Sequence, residues 1–254
     1  MKLFGTDGIR GKVGEFPITP VDMEKLGYAI AAIMFKNSVG RVYISNDGRA
    51  SAHEIEDALN HGIIRQGSTT RSYALLSTPA LSYFLNKSTP GKLIGIQITA
   101  SHNPYQDNGI KVFDENGLKI TEQQESEIEN AFNHPDGESK NDIGHKEIEF
   151  DYAPDQYVGA VRNYLKNKIK NENNMKMLIM IDCANGATSN HVEKIFNGPD
   201  MDDNIIDVLS IHNQPSGKNI NEKCGATHID TLKEQIKLHN SGNHRKINLG
   251  VAFD

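Results

Sequence analysis

The 254-residue sequence has no tryptophan, only two cysteines and no long hydrophobic run. Each absence excludes something. Two thiols, Cys183 and Cys224, are too few for a disulfide scaffold or an all-thiolate metal site, and read as structural thiols of a reducing compartment. No stretch approaches the ~18 consecutive apolar residues of a membrane span. Asp7 and Arg10 stand where a secretory signal needs an apolar segment. Positive charge is also short: 27 Lys and Arg against 33 Asp and Glu leave a net charge of -6, with no global pull towards nucleic acid or anionic lipid. The expectation is a soluble cytoplasmic protein with neither a nucleic-acid nor a membrane partner. Any phosphorylated ligand must be held by a local cluster of donors, against the net field.

What is present is enough chain for a sizeable core. At ~150 residues per domain the length predicts two domains. Apolar and charged fractions of 37% and 24% exclude collagen-like and fully disordered classes.

Short apolar, partly β-branched runs at 41–45, 93–99, 177–182, 205–211 and 247–253 have strand length. Helical patterns lie between them. Leu26, Ala29, Ile30, Ile33 and Met34 recur at three and four, with Thr19-Pro20 ahead as N-cap and first helical residue. Ser51 with Glu54, and Thr121 with Gln124, read as capping boxes, and Thr78-Pro79 opens a short helix. Tyr157, Val158, Val161, Tyr164 and Leu165 form one helical face, and further helices are expected near 192–196 and 229–238. The alternation predicts an α/β fold with buried, mostly parallel strands. Residues 133–149 read as a polar linker and Asn171–Asn174 as a solvated connection, so the domain boundary is placed near 150. The last strand runs into Asp254 with no covering helix after it, which implies either a fragment or cover supplied by something else.

The most informative segment is Thr99-Ala100-Ser101-His102-Asn103-Pro104, directly after a strand. A hydroxyl at the carboxyl end of a buried strand is held out towards a cleft, where His102, Asn103 and backbone N–H groups can serve phosphate oxygens. A hydrolase triad fits poorly, because adjacent Ser101 and His102 tend to point apart and no Gly-x-Ser-x-Gly elbow surrounds the serine. Asp107-Asn108-Gly109 signals a tight turn, after which 110–113 resumes a strand ending in the turn Asn116-Gly117. Lys111 on that strand can return towards Ser101, and a lysine in a confined site suits acid–base work. Three glycines crowd around Arg10 in Phe4-Gly5-Thr6-Asp7-Gly8-Ile9-Arg10-Gly11, a backbone that can approach a ligand beside a planar, permanently charged fork. Asn46-Asp47-Gly48-Arg49 is a similar strand-end loop, in which Asp47 and Arg49 either bind phosphate or form an internal ion pair.

These segments in this order resemble the α-D-phosphohexomutase family, which includes phosphoglucomutases, phosphomannomutases and phosphoglucosamine mutases. The octapeptide at 4–11, Ala-Ser-His-Asn-Pro with Gln-Asp-Asn-Gly-Ile-Lys at 100–111, Asp-Cys-Ala-Asn-Gly-Ala at 182–187 and Leu-Gly-Val-Ala-Phe-Asp at 249–254 look most like the bacterial amino-sugar members. Thr99 stands where many members have Ser, and Asn46 and Gly48 replace the usual Arg and Thr. The resemblance implies two three-layer α/β/α domains with mixed, mostly parallel sheets, spanning 1–150 (with the phosphoserine loop) and 151–254 (cut at the start of the metal loop). It implies a reversible 1,6-phosphoryl shift on a hexose phosphate, expected to be glucosamine phosphate, through phosphorylated Ser101 and a bisphosphorylated sugar. Arg10 and Lys111 match positions linked to acid–base and charge-stabilising roles, and His102 helps hold the phosphoserine or sugar. Asp254 is the first carboxylate of a longer metal loop, so Ser101 and Asp254 are the expected Mg2+ ligands. One Asp and one phosphoserine leave most of an octahedral shell to water. These residues alone are therefore expected to have little mutase activity. The alternatives are another sugar specificity, or a non-catalytic remnant that docks a C-terminal half or a further copy through its last strand.

Overall fold

Buried β-branched runs pair into two sheets, each in its own compact unit. The computed structural model describes residues 2–36, 38–88, 92–134, 144–148, 153–168, 176–197 and 206–254. One unit comprises Met1–Ala100 and Gln106–Asp151, the other Ser101–Tyr105 and Tyr152–Asp254. The five residues of the serine loop, inside the expected first domain by sequence position, thus group with the second unit. The expected boundary near 150, most of the expected linker and the Asn171–Asn174 patch lie outside the described residues.

In the first unit the strands are β1 (Ile9–Lys12), β2 (Arg41–Asn46), β3 (Thr69–Leu75), β4 (Leu93–Ile98), β5 (Asp107–Phe113) and β6 (Lys146–Ile148), in the order β1-β5-β4-β2-β3-β6. Strands β4, β2, β3 and β6 run parallel, and β5 is antiparallel to both β4 and β1. The helices are α1 (Pro20–Met34), α2 (Ala52–Arg65), α3 (Thr78–Lys87) and α4 (Glu122–Asn133). Side chains alternate across a strand. Val42, Ile44, Ile94, Ile96 and Ile98 therefore share one core with Leu26, Ile30, Ile55, Leu59 and Ile128 from α1, α2 and α4. On the other face Gly95 lies beneath Leu81 of α3, whose Cδ2 would be 3.3 Å from an added Cβ. The result is a three-layer α/β/α unit with a mixed, mostly parallel sheet.

Local signals account for several boundaries. Thr19 Oγ1 accepts from the Asp22 N–H ahead of α1, and Thr121 with Gln124 forms a complete capping box ahead of α4. Ser51 makes no such cap: its backbone is already helical, and its hydroxyl accepts instead from the buried Asn108 amide at 2.9 Å. Asp107-Asn108-Gly109, read as a tight turn, belongs to β5, with Gly109 opposite Arg10. The reason is close packing, since a Cβ at Gly109 would lie 2.7 Å from the Thr99 carbonyl oxygen. Strand β6 falls within the expected linker and is held by pairing with β3 and by the Arg71–Glu147 ion pair at 2.8 Å.

Helices α1 and α2 approach each other at glycine. A Cβ at Gly62 would run into the Glu24 carbonyl oxygen and lie 2.7 Å from the Tyr28 nitrogen, whereas Gly159, in a helix of the second unit, has nothing within 4 Å. Gly62→Ala is expected to destabilise by roughly 1–3 kcal/mol through overpacking. Gly159→Ala should stabilise by about 1 kcal/mol through helix propensity. Denaturant midpoints of the two variants will shift in opposite directions; equal shifts would contradict the packing described.

The second unit holds β7 (Met177–Asp182), β8 (Ile206–Ile211) and β9 (Leu249–Ala252) in the parallel order β8-β7-β9, with helices α5 (Ala153–Lys168), α6 (Val192–Phe196) and α7 (Ile229–Ser241). Ile179, Ile181, Val208 and Val192 of α6 pack on one face, and Leu178, Met180, Ile247 and Leu232 of α7 on the other. Tyr164, expected on the buried face of α5, is 63% exposed. Among the described residues no helix is long and apolar enough to cross a membrane.

Candidate active site

Within the first unit, pairing of β1 with β5 sets Arg10 against Gly109, and Lys111 lies two residues along on the same face. The turn before β1 returns Asp7 to both cations. Asp7 Oδ2 is 2.7 Å from Arg10 Nη2 and 2.8 Å from Lys111 Nζ. This turn needs glycine at position 8, where φ is +90° and a Cβ would be 3.3 Å from the Ile110 carbonyl carbon. Lys119 Nζ steadies the turn by donating to the Thr6 carbonyl at 3.0 Å. Arg10 Nε is buried without a hydrogen-bond partner among the described residues, an orphan donor beside a charged cluster.

Partial burial alone would raise the Asp7 carboxyl, but the hydrogen bond and charge of Lys111, with those of Arg10, outweigh it and hold it below its ordinary 3.8. A carboxyl lowered on folding stabilises the native state above its unfolded value, and the gain is lost as pH falls through the lower folded value. The stability gap between the wild-type chain and Asp7→Asn is therefore expected to be complete at neutral pH and to close below about pH 3.8. Urea titrations across pH 2–7 measure it, and a gap that widens in acid would contradict this sign.

Asp47 and Arg49 require a correction. Rather than offering charge to a phosphate, Arg49 has a fully buried side chain, whose Nε donates to Asp47 Oδ2 at 3.0 Å and whose Nη1 donates to the Asp107 carbonyl at 2.9 Å. Thr99 Oγ1 donates to the same Asp47 oxygen at 2.6 Å. A buried charge persists only when paired. This pair ties the ends of β2, β4 and β5 together.

In the second unit, Ser101 occupies the left-handed region at φ +54°, uncommon for a residue with a Cβ. Its Oγ donates to Asp254 Oδ1 at 2.7 Å, and His102 Nδ1 lies 3.2 Å from the same oxygen. The two neighbours thus converge on one carboxylate, contrary to the expectation that they point apart. The arrangement is not a triad, because the serine hydroxyl donates its hydrogen bond to the carboxylate and not to the imidazole. His102 and Asp254 are exposed, with side-chain accessibilities of 48% and 57%.

Asn221 is the residue that sequence reasoning missed. Its Nδ2 donates to the carbonyls of Ser101 and Asn103, at 2.9 and 3.0 Å. Its own N–H bonds the Ala184 carbonyl, in the Asp-Cys-Ala-Asn-Gly-Ala turn. Asn is among the residues that tolerate the left-handed backbone found here, φ +58°. The only available signal was an Asn-rich stretch over 100 residues away in sequence. Asn221→Asp keeps the shape and removes both donors. If Ser101 accepts a phosphoryl group, as the family resemblance implies, the change should slow that step by about 10–100-fold, from the loss of two hydrogen bonds. Quench-flow phosphorylation with a hexose 1,6-bisphosphate measures this, and an unchanged rate would remove Asn221 from the site.

The Ser101 hydroxyl and the Asp254 carboxylate are hard oxygen donors, a set that suits Mg2+. The buried thiols are unsuited to nucleophilic work: burial pushes Cys183 up to about 12 and Cys224 up to about 11.

Comparisons with known proteins identify the family. Residues 1–138 match the family model described as phosphoglucomutase/phosphomannomutase, alpha/beta/alpha domain I. The chain is 37% identical over 253 residues to the phosphoglucosamine mutase of Pseudoalteromonas translucida, covering all of this chain and 53% of that protein. A phosphoglucosamine mutase of Buchnera aphidicola is 38% identical, with 100% and 54% covered. The chain thus spans about half the length of the curated relatives it matches. In fold it is similar to a phosphoglucomutase/phosphomannomutase family protein from Burkholderia thailandensis, with a TM-score of 0.74 at 21% identity over 94% of this chain and 50% of the other. The chain belongs to the phosphoglucomutase/phosphomannomutase family.

Proposed function

We propose that this chain is the N-terminal portion of a cytoplasmic phosphoglucosamine mutase, which interconverts glucosamine 6-phosphate and glucosamine 1-phosphate through a phosphoserine at Ser101. The observation that carries this reading is the Ser101 hydroxyl, displayed by a left-handed turn and hydrogen-bonded to Asp254 at 2.7 Å. In the first half-reaction the bond between phosphorus and Ser101 Oγ breaks and a bond to a sugar hydroxyl oxygen forms; the proton of that hydroxyl ends on the released Ser101 oxygen. In the second half-reaction the other phosphate of the bisphosphorylated sugar returns to Ser101. The identity of about 37% to phosphoglucosamine mutases along the whole chain favours the amino sugar over glucose or mannose.

A phosphoserine carries about -1.5 to -2 charge, which opposes the approach of another phosphate unless cations offset it. In the first unit Arg10 and Lys111, both paired with Asp7, offer fixed positive charge to a phosphate of the substrate. His102 serves as a donor to the phosphoryl group, and Asn103 adds a polar side chain to the same turn. Mg2+, held by Asp254 and a phosphoserine oxygen, would neutralise charge on the transferring group. Intact-mass analysis after incubation with glucosamine 1,6-bisphosphate tests the reading. One phosphate localised to Ser101 supports it, while phosphate on another residue, or on none, contradicts it.

A further inference from the structure

Three donors that phosphoryl transfer does not use converge in the second unit. Asp182 closes β7, His212 directly follows β8, and Cys224 lies in the turn that also carries Asn221. One ligand atom from each lies within 4.8 Å of the others. The fold explains the meeting. Parallel register sets Asp182 against Ile211, so the next residue on that strand, His212, emerges beside the carboxylate. The Gly225 N–H donates to Asp182 Oδ2 at 2.9 Å and draws the cysteine turn over both.

The histidine supplies the sharper sign. His212 Nδ1 is 3.0 Å from Asp182 Oδ1. Yet it is buried and too poorly aligned for a hydrogen bond. A ring nitrogen this near a carboxylate, yet without a hydrogen bond to it, can in its neutral tautomer turn a lone pair to a third atom. Asp182 and Cys224 are fully buried, whereas the His212 side chain is 28% exposed, so one of the three donors borders solvent.

We propose that Asp182, His212 and Cys224 form a binding site for one borderline-soft divalent cation of the zinc class. Sulfur, imidazole and carboxylate together suit such an ion better than Mg2+, which prefers the all-oxygen set of Ser101 and Asp254. Charge balances in the buried setting. A dication meets one carboxylate, one neutral imidazole and one thiolate, whose proton is released to solvent as the metal–sulfur bond forms. Each carboxylate oxygen keeps a lone pair after accepting from Ala184 N–H or Gly225 N–H, and those two donors orient it as an outer shell. Occupancy would clamp the 221–225 turn and, through Asn221, the backbone of the serine loop.

The test is optical and needs no turnover. The chelator-treated 254-residue chain is titrated with Co2+ and then with Zn2+. The expected result is one Co2+ per chain, a thiolate-to-cobalt charge-transfer band, and displacement by Zn2+ but not by Mg2+. The band should vanish in Cys224→Ser and persist in Cys183→Ser. His212→Gln, at a partly exposed position, should keep the metal-free thermal midpoint while weakening Zn2+ at least about tenfold. This variant decides the matter if Cys224→Ser fails to fold. Absence of the band in the folded wild-type chain, its survival in Cys224→Ser, or unchanged Zn2+ affinity in His212→Gln would each overturn the proposal.

Discussion

Ser101→Ala is expected to abolish covalent phosphate uptake from a hexose 1,6-bisphosphate and to reduce mutase turnover of the complete enzyme by about 10⁴-fold or more. The argument is one of atoms. The shuttle needs an oxygen that can be esterified and released, and alanine has none. The Ser101 Oγ also supplies the hydrogen bond to Asp254. Removing it is a small change at a partly exposed turn, so the fold should survive and the loss should appear in chemistry alone. A Cys or Thr replacement is no rescue, because Cys puts sulfur in place of the oxygen and Thr crowds a left-handed backbone. Turnover within tenfold of wild type would show that the phosphoryl group travels elsewhere.

The second large effect belongs to Lys111. Lys111→Gln keeps a polar side chain of similar length and removes the charge. Under the proposed function a phosphate of the substrate then loses a fixed positive charge, for which about a 10²–10³-fold fall in turnover is expected. The same change leaves Asp7 with Arg10 as its remaining cation, at 2.7 Å, so the depression of its carboxyl should shrink. Single-turnover transfer from pre-phosphorylated Ser101 to sugar phosphate separates the effects. A slow chemical step with little change in KM supports a role in the transition state, while a rise in KM alone would reduce Lys111 to a substrate anchor.

The elements that could be read from sequence are those whose signals are local. Thr19-Pro20 and Thr121–Gln124 fix helix starts by bonds within one turn, and the apolar runs of β4 and β7 announce strands buried on both faces. Signals that depend on a distant partner misled or stayed silent. Ser51 looks like a cap until Asn108 claims its hydroxyl, and Asp107-Asn108-Gly109 looks like a turn until β1 pairs with it. Strand β3, Thr-Thr-Arg-Ser-Tyr-Ala-Leu, has too few apolar residues to show a period. At the site the same division holds. Ser101, His102 and Asp254 stand out because their motifs are contiguous. Asn221 does not, because its two hydrogen bonds to the serine loop span 120 and 118 residues of sequence. Asp47 and Arg49 have the composition of an anion site, but burial turns them into a strut.

The central claim is that the oxygen at position 101 carries the phosphate. Phosphopeptide mapping of the protein isolated from cells, before and after incubation with hexose 1,6-bisphosphate, tests it most directly. The account predicts a single phosphorylated site at Ser101 whose occupancy rises with the bisphosphate and falls on chasing with sugar monophosphate. An unmodified Ser101 under all three conditions, in a folded chain, would contradict it.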